Sequence, residues 1–401
     1  MARISQTNIR TLAISIILLL CACGAKKFME SAEFQDPLDP TNSMNPPKDS
    51  DGTSGAAPVV DSGTQLADVQ VMPEVSQPSI DDLIVAPELF LASANALRQY
   101  RKDRGHDAQI LTVQTAEAAS VLALGNAIRT ATQVLPHLIY ITLIGDVSVL
   151  PAERRVFVGG GEGFTDTCYA YNGSETSLAP AYALGRIPVK SDDEFTAYLD
   201  KVRRFEETFI SRKGMLFFGH QPELGYAETR DLNLANQSGF QSTVSSPSNI
   251  DELTSLLNNP AIGTVLYYGH GSLYGNEPLS ILPTDSALQI GWNNVNAPVI
   301  YASGGCDFHN SQIGQRILSD QLIFSENGAA ATVGAVKNGG YGFDYAFVPG
   351  FISGLAAEPT LGRAFLSGLH SVAAHPEAKP ESVMDFMYRE ALHGDPLLQI
   401  R

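Results

Sequence analysis

The chain is 401 residues long, 44% apolar and 17% charged, with 35 Gly and 23 Pro. That length suits two to three domains, or one large α/β unit with a tail, and the apolar fraction excludes a wholly disordered chain. A net charge of −17 with no Lys/Arg-rich run excludes a protein that grips nucleic acid by its phosphates; four cysteines without a CxxC pair exclude a disulfide scaffold or a zinc ribbon.

Residues 1–23 carry Arg3 and Arg10, no acid, and the nine-residue apolar run Leu12–Leu20. This is the shape of a secretory signal, too short to cross a bilayer as a helix. Its end, Leu20-Cys21-Ala22-Cys23-Gly24, resembles a bacterial lipobox. The small Ala22 makes Cys23, not Cys21, the residue to be acylated. Gly24 in place of Asp resembles sorting to the Gram-negative outer membrane, where acyl chains would anchor the protein without a spanning helix. The alternative is an ordinary signal with incidental cysteines.

Residues 24–80 are rich in Pro, Ser, Asp and Gly and lack apolar periodicity, which predicts a flexible tether. The start carries +2 and the tether −6, leaving −13 of the total −17 on residues 81–401. From residue 81, short β-branched runs alternate with helical stretches, the pattern of a parallel sheet covered by helices. Strands are predicted at 82–86, 109–113, 138–144, 214–218, 263–268, 298–302, 329–333 and 396–400. Helices are predicted at 88–104, with Leu89, Leu91, Leu97 and Tyr100 as its inner stripe, and at 116–135. Residues 159–177 read as loop, and a boundary near 190–213 would divide 81–401 into subdomains 81–190 and 213–401. Residues 382–392 read as a helix with Gly394 as its C-cap.

Functional groups in open α/β sheets gather beyond the carboxyl ends of the strands. Two such ends stand out: Tyr267-Tyr268 running into Gly269-His270-Gly271-Ser272, and Tyr301-Ala302 running into Ser303-Gly304-Gly305-Cys306-Asp307. If these strands are neighbours, an imidazole and a thiol share one crevice, and the glycines leave backbone N–H groups free to meet an oxygen. A histidine partner lowers a cysteine pKa and can return a proton to a leaving group. Taken singly, His270 reads as a satisfied strand-end histidine and Cys306 as a buried inert thiol. Taken together they point to a Cys–His dyad. His309 with His270 and Cys306 would offer three metal ligands, but no carboxylate stands at a diagnostic spacing. Cys168 reads as structural, and a Cys168–Cys306 disulfide is not expected.

These residues resemble the gingipain-type cysteine peptidases, whose catalytic domain has a caspase-like fold. The resemblance covers roughly residues 81–400 and rests on a series of elements in order. They are Ile128-Arg129, Tyr140–Asp146 with Pro151, Tyr169, Gly185-Arg186-Ile187-Pro188, Tyr268–Ser272 with the strand ending at Cys306, and Gly394-Asp395-Pro396-Leu397-Leu398. It implies a caspase-like, mostly parallel sheet with helices on both faces. It also implies an endopeptidase acting through an acyl-enzyme, with Cys306 as nucleophile, His270 as acid/base, and the N–H groups of Cys306 and Gly271 as oxyanion donors. The orienting carboxylate would follow the strand at 214–218, where Glu223 is the nearest acid.

Relatives that cut after basic residues place an acid in the first pocket. The loop after residues 329–333 would supply Asp344 and Tyr341 as substrate-binding residues, with Asp231 as the alternative acid. The chemistry requires no cofactor; calcium in loops is within the family's range, though no ligand spacing establishes it. The expected partners are protein or peptide substrates and a membrane reached through the lipid anchor, with no nucleic acid. Two other functions remain open at this point: a sortase-like transpeptidase, and a non-catalytic surface lipoprotein that uses the fold for binding.

Overall fold

The computed structural model describes residues 79–401 apart from 115, 159–160, 173–176, 220–223, 273–274, 277–291, 312–315, 338–340 and 377–378. Cys23 and the expected tether up to residue 78 lie outside the described residues, as does Glu223. The strands are β1 (Ile80–Pro87), β2 (Asp107–Val113), β3 (Tyr140–Ile144), β4 (Glu153–Val156), β5 (Glu162–Thr165), β6 (Ala183–Ile187) and β7 (Gly214–Gly219). They continue with β8 (Gln241–Ser245), β9 (Ile262–Tyr268), β10 (Gly271–Ser272), β11 (Gly275–Asn276), β12 (Val299–Ser303), β13 (Ala329–Ala335) and β14 (Glu390–His393). Among the described residues, ten of them form one sheet in the order β2-β1-β3-β6-β14-β13-β12-β9-β7-β8, while β4–β5 and β10–β11 are separate hairpins. Neighbours in the large sheet run parallel except at β13–β14, which is antiparallel; β14 meets β6 through the single pair His393–Arg186.

The inner strands β1, β3, β7, β9, β12 and β13 are buried on nearly every residue because both faces are covered. Alternation within each strand divides the core: Ile84, Leu266, Ile300 and Ala302 face one layer. Leu83 and Val85 face a second cluster, and Val265, Tyr267, Val299 and Tyr301 a third. The first layer is closed by the helices Leu91–Lys102, Asp192–Phe209, Leu361–Ala373 and Pro380–Arg389. Val121–Thr132 and Ile250–Leu257 close the opposite face. No helix among the described residues is long and apolar enough to cross a membrane.

Several local expectations are corrected. In the first helix Leu97 and Tyr100 are buried, but Leu89 and Leu91 are exposed, and Phe90 and Ala94 fill the inner stripe instead. Residues 162–165 are strand β5 and Thr167–Ala170 a 3-10 turn, not loop. Helix Pro380–Arg389 gives way to β14 before Gly394, so this glycine (φ 127°) turns the chain beyond a strand and does not cap a helix. Residues 396–400 form no strand of the sheet: Leu397, Leu398 and Ile400 are buried, and Gln399 makes only an isolated antiparallel bridge to Thr360, outside the ladder. The stretch near 190–213 is largely helix Asp192–Phe209, whose Phe195, Tyr198, Val202 and Phe205 sit in the first core layer.

The elements that carry the family resemblance build the frame. Arg186 is buried, forms a bidentate pair with Asp166 (2.6 Å for each bond), and donates to the Gly145 carbonyl at 2.7 Å. Tyr169 donates to the Pro151 carbonyl at 2.6 Å. Arg101, itself buried, bonds to both Asp82 and Asp395, joining the first strand to the Gly-Asp-Pro element near residue 401. Burial pushes the Asp82 carboxyl above its usual range, and the guanidinium opposes that shift.

Candidate active site

The sheet sets His270 and Cys306 at the same level. Strands β9 and β12 pair directly and in parallel, with Tyr267 opposite Ser303, and each candidate lies three residues beyond that pair. Arg212 secures this register from below: it donates to the carbonyls of Ile262 at 3.0 Å, Ala297 at 2.9 Å and Pro298 at 2.5 Å, at the amino ends of the two strands. Burial draws the Arg212 pKa down to about 10.

Above the ladder the two loops touch. The Gly304 N–H donates to the Tyr267 carbonyl at 2.9 Å, and the Gly305 N–H to Ser303 Oγ at 3.1 Å. Gly269 takes φ 152°, and Gly271 lies directly on the cysteine segment. A Cβ on Gly271 would stand 3.0 Å from the Cys306 carbonyl oxygen, 3.0 Å from Gly305 Cα and 3.1 Å from the Cys306 nitrogen. Any side chain here would press on the cysteine segment, which would have to give by a few tenths of an ångström. Beyond it, Gly271–Ser272 pairs antiparallel with Gly275–Asn276.

The His270 side is anchored by two tyrosines that alternate across the sheet. Tyr267, packed against Phe218 on one face, donates its hydroxyl to the His270 carbonyl at 2.6 Å. Tyr268, on the other face, donates to Asp231 at 2.6 Å. Residue 270 itself is exposed, Cys306 is half-buried, and neither Cys306 nor Cys168 is in a disulfide. Burial pushes the Cys168 thiol well above the ordinary range, in keeping with an inert structural cysteine.

The remaining expected site residues divide as follows. His309 is turned into the core, not toward His270: Nε2 lies 2.9 Å from Thr332 Oγ1, Nδ1 lies 3.0 Å from the Gly334 carbonyl, and the ring stacks on His393. Burial holds its pKa well below 6.5, and no cluster of metal-ligating side chains occurs among the described residues. Asp231 is buried and engaged by Arg230 (2.6 and 2.9 Å) as well as Tyr268, so it is a partnered acid rather than an open pocket wall. Tyr341 and Asp344 fall in the first turns of helix Tyr341–Ala357, not in a loop; their side chains lie outside the described residues.

Two features were not foreseen. Tyr267, which fixes the backbone of His270, reads in sequence as one more strand residue. Asp307 follows Cys306 at φ 56° and pairs with Lys337, a conformation that no composition pattern marks.

Comparison with known proteins agrees with this architecture. The model of peptidase family C25 matches residues 75–401. Arg-specific cysteine proteinase gingipain R (RgpB) superposes with TM-score 0.70 at 14% identity, covering 81% of this chain and 79% of that one. The complex of Porphyromonas gingivalis RgpB pro- and mature domains gives 0.68 at 14% identity over 80% of each chain. A structure described only as a protease gives 0.67 at 16% identity, covering 80% of this chain and 79% of that one. No curated protein matches. The fold is the caspase-like fold of the gingipains, and the chain belongs to peptidase family C25.

Proposed function

We propose that the protein is a cysteine endopeptidase with Cys306 as nucleophile and His270 as general acid/base. The observation that supports this reading is the packing of Gly271 on the backbone of Cys306, beyond the ends of two paired strands that lead into His270 and Cys306. His270 takes the thiol proton and the sulfur attacks the scissile carbonyl. The N–H groups of Cys306 and Gly271 receive the oxyanion, and His270 returns the proton to the departing amine. Water, deprotonated by His270, then releases the acyl group and restores the thiol. The chemistry uses no cofactor. Glu223 is the proposed orienting acid.

A preference for Lys or Arg beside the cleaved bond would come from Asp344, with Tyr341 as a further wall, and the excess negative charge of residues 81–401 would draw in basic peptides. The test is hydrolysis of a fluorogenic peptide panel by the full chain. Cys306→Ala should abolish turnover, His270→Ala should reduce it about 10²- to 10⁴-fold, and Asp344→Asn should erase any basic preference while other sequences are still cut. An unchanged profile with Asp344→Asn would remove that residue from the pocket. Turnover that survives Cys306→Ala would overturn the reading.

We propose further that Cys23 is lipidated and that residues 24–80 hold the peptidase off the outer membrane. Metabolic labelling with a tagged fatty acid should mark the wild type and not Cys23→Ser. Equal labelling would assign the acyl chain elsewhere.

A further inference from the structure

Among the described residues, Asp307 is the only non-glycine with a left-handed backbone, at φ 56°, and it directly follows Cys306. An L-residue rarely adopts that conformation, and an Asp that does so is held there by local hydrogen bonds. Here the side chain is enforced twice. The carboxylate accepts from Lys337 Nζ at 2.7 Å and from Asn310 Nδ2 at 2.8 Å. Lys337 stands two residues past the end of β13, and both members of the ion pair are four-fifths buried or more, at 20% and 17% exposure. Screening by solvent is reduced there, so the two charges attract each other more than they would in an open surface bridge.

Lys337 also faces a second element. A Cβ on Gly161 would collide with the Lys337 stem, and one on Gly163 would stand 2.8 Å from the Val336 carbonyl. The β4–β5 hairpin therefore lies across the base of Lys337, and Arg389 and Asp385 hold that hairpin through the Val158 backbone.

We infer that Lys337 and Asp307 form a positioning pair, which locks the turn after Cys306 in its left-handed form and braces it against the β4–β5 hairpin. The inference rests on Cys306 being the nucleophile. The pair touches no reacting atom. It fixes the direction of the Cys306 backbone, and with it both the sulfur and the N–H that receives the oxyanion. Displacement of a reacting group by about 1 Å can cost on the order of 10²-fold in rate.

The experiment measures kcat and KM of the full chain on a peptide that the wild type cleaves, together with the rate at which a thiol-directed probe labels Cys306. Lys337→Met keeps the stem and removes the charge; it should lower kcat about 10- to 100-fold while KM stays within about twofold. Lys337→Arg should recover most of the loss. Asp307→Gly keeps the left-handed turn but drops the carboxylate, and it should match Lys337→Met. The double variant should lose no more than either single one, as expected for partners in one interaction. Should Lys337→Met fail to fold, Asp307→Gly against Asp307→Asn carries the test. Unchanged kcat in Lys337→Met, an equal loss in Lys337→Arg, or additive losses would overturn the inference while leaving the peptidase reading intact. A wild-type Cys306 no more reactive than the thiols of the denatured chain would overturn both.

Discussion

Gly271 shows how much of the site depends on atoms that are not there. Its neighbours hold a hydrogen comfortably and a methyl only if they yield by a few tenths of an ångström, because the Cys306 carbonyl and the Gly305 Cα stand 3.0 Å from where a Cβ would be. Gly271→Ala would shift the cysteine segment against the histidine loop by a few tenths of an ångström. It should therefore cut the rate by about 10²-fold with little change in the thermal midpoint, since the displaced segments lie at the sheet edge and not in the core. A variant as active as the wild type would mean that the two loops do not form one site.

At the same scale, His309 reports on the core beneath. Buried and held well below 6.5, it stays neutral in the folded protein, whereas in the unfolded chain it takes up a proton below that value. The unfolded state thus binds more protons, and stability falls as pH drops below about 6.5, by up to ~1.4 kcal/mol per pH unit from this group. Urea midpoints at pH 7 and pH 5 should fall more steeply for the wild type than for His309→Gln. Parallel slopes would contradict the assignment.

Among the elements, those that carry the candidate site are also those most legible in sequence. β9, β12 and β13 are largely apolar runs, the first two leading into glycine, so their identity follows from burial on both faces. Three strands of the large sheet are hidden for separate reasons. β6 contains Arg186, whose burial is made tolerable by Asp166, a residue 20 positions away that no periodicity reveals. β8 is the polar sequence Gln241–Ser245 at the sheet edge. β14 continues the apolar spacing of the preceding helix, and only its pairing with β13 makes it a strand.

Within the site, the residue types and their strand-end places are visible in the sequence. The work of Tyr267, Asp307 and Lys337 is not, because it depends on register and on a single backbone angle. Arg212 bears on the element scale directly. Arg212→Met leaves the carbonyls of Ile262, Ala297 and Pro298 without their donor. Loss of hydrogen bonds from a charged donor to buried carbonyls costs about 1.5–3 kcal/mol each at most. We expect a destabilisation of about 2–4 kcal/mol in chemical unfolding; a change below 0.5 kcal/mol would show that the strand ends are held by other contacts.

For the whole molecule, the decisive contacts join residues far apart in the chain. Arg101 sits between Asp82 and Asp395, a separation of 294 residues on one side and 19 on the other, and all three are almost wholly buried. Arg101→Met leaves two carboxylates facing each other in the interior, and breaking a buried pair in this way costs about 3–5 kcal/mol. The variant should unfold at clearly lower denaturant, with the largest loss near neutral pH and partial recovery in mild acid as the carboxylates protonate. Stability equal to the wild type would mean that the terminal Gly-Asp-Pro element is not fastened through this arginine. The same long-range logic brings His270 and Cys306, 36 positions apart, to adjacent strand ends.

The central claim is that the two form one activated pair. Its most direct test is to treat the full chain with a peptide-based, thiol-directed acylating probe and map the label by mass spectrometry in wild type, Cys306→Ala and His270→Ala. The account predicts label on Cys306 in the wild type, none in Cys306→Ala, and a steep fall in His270→Ala. Equal labelling in all three proteins, or none in any, would contradict it and leave the fold as a binding module.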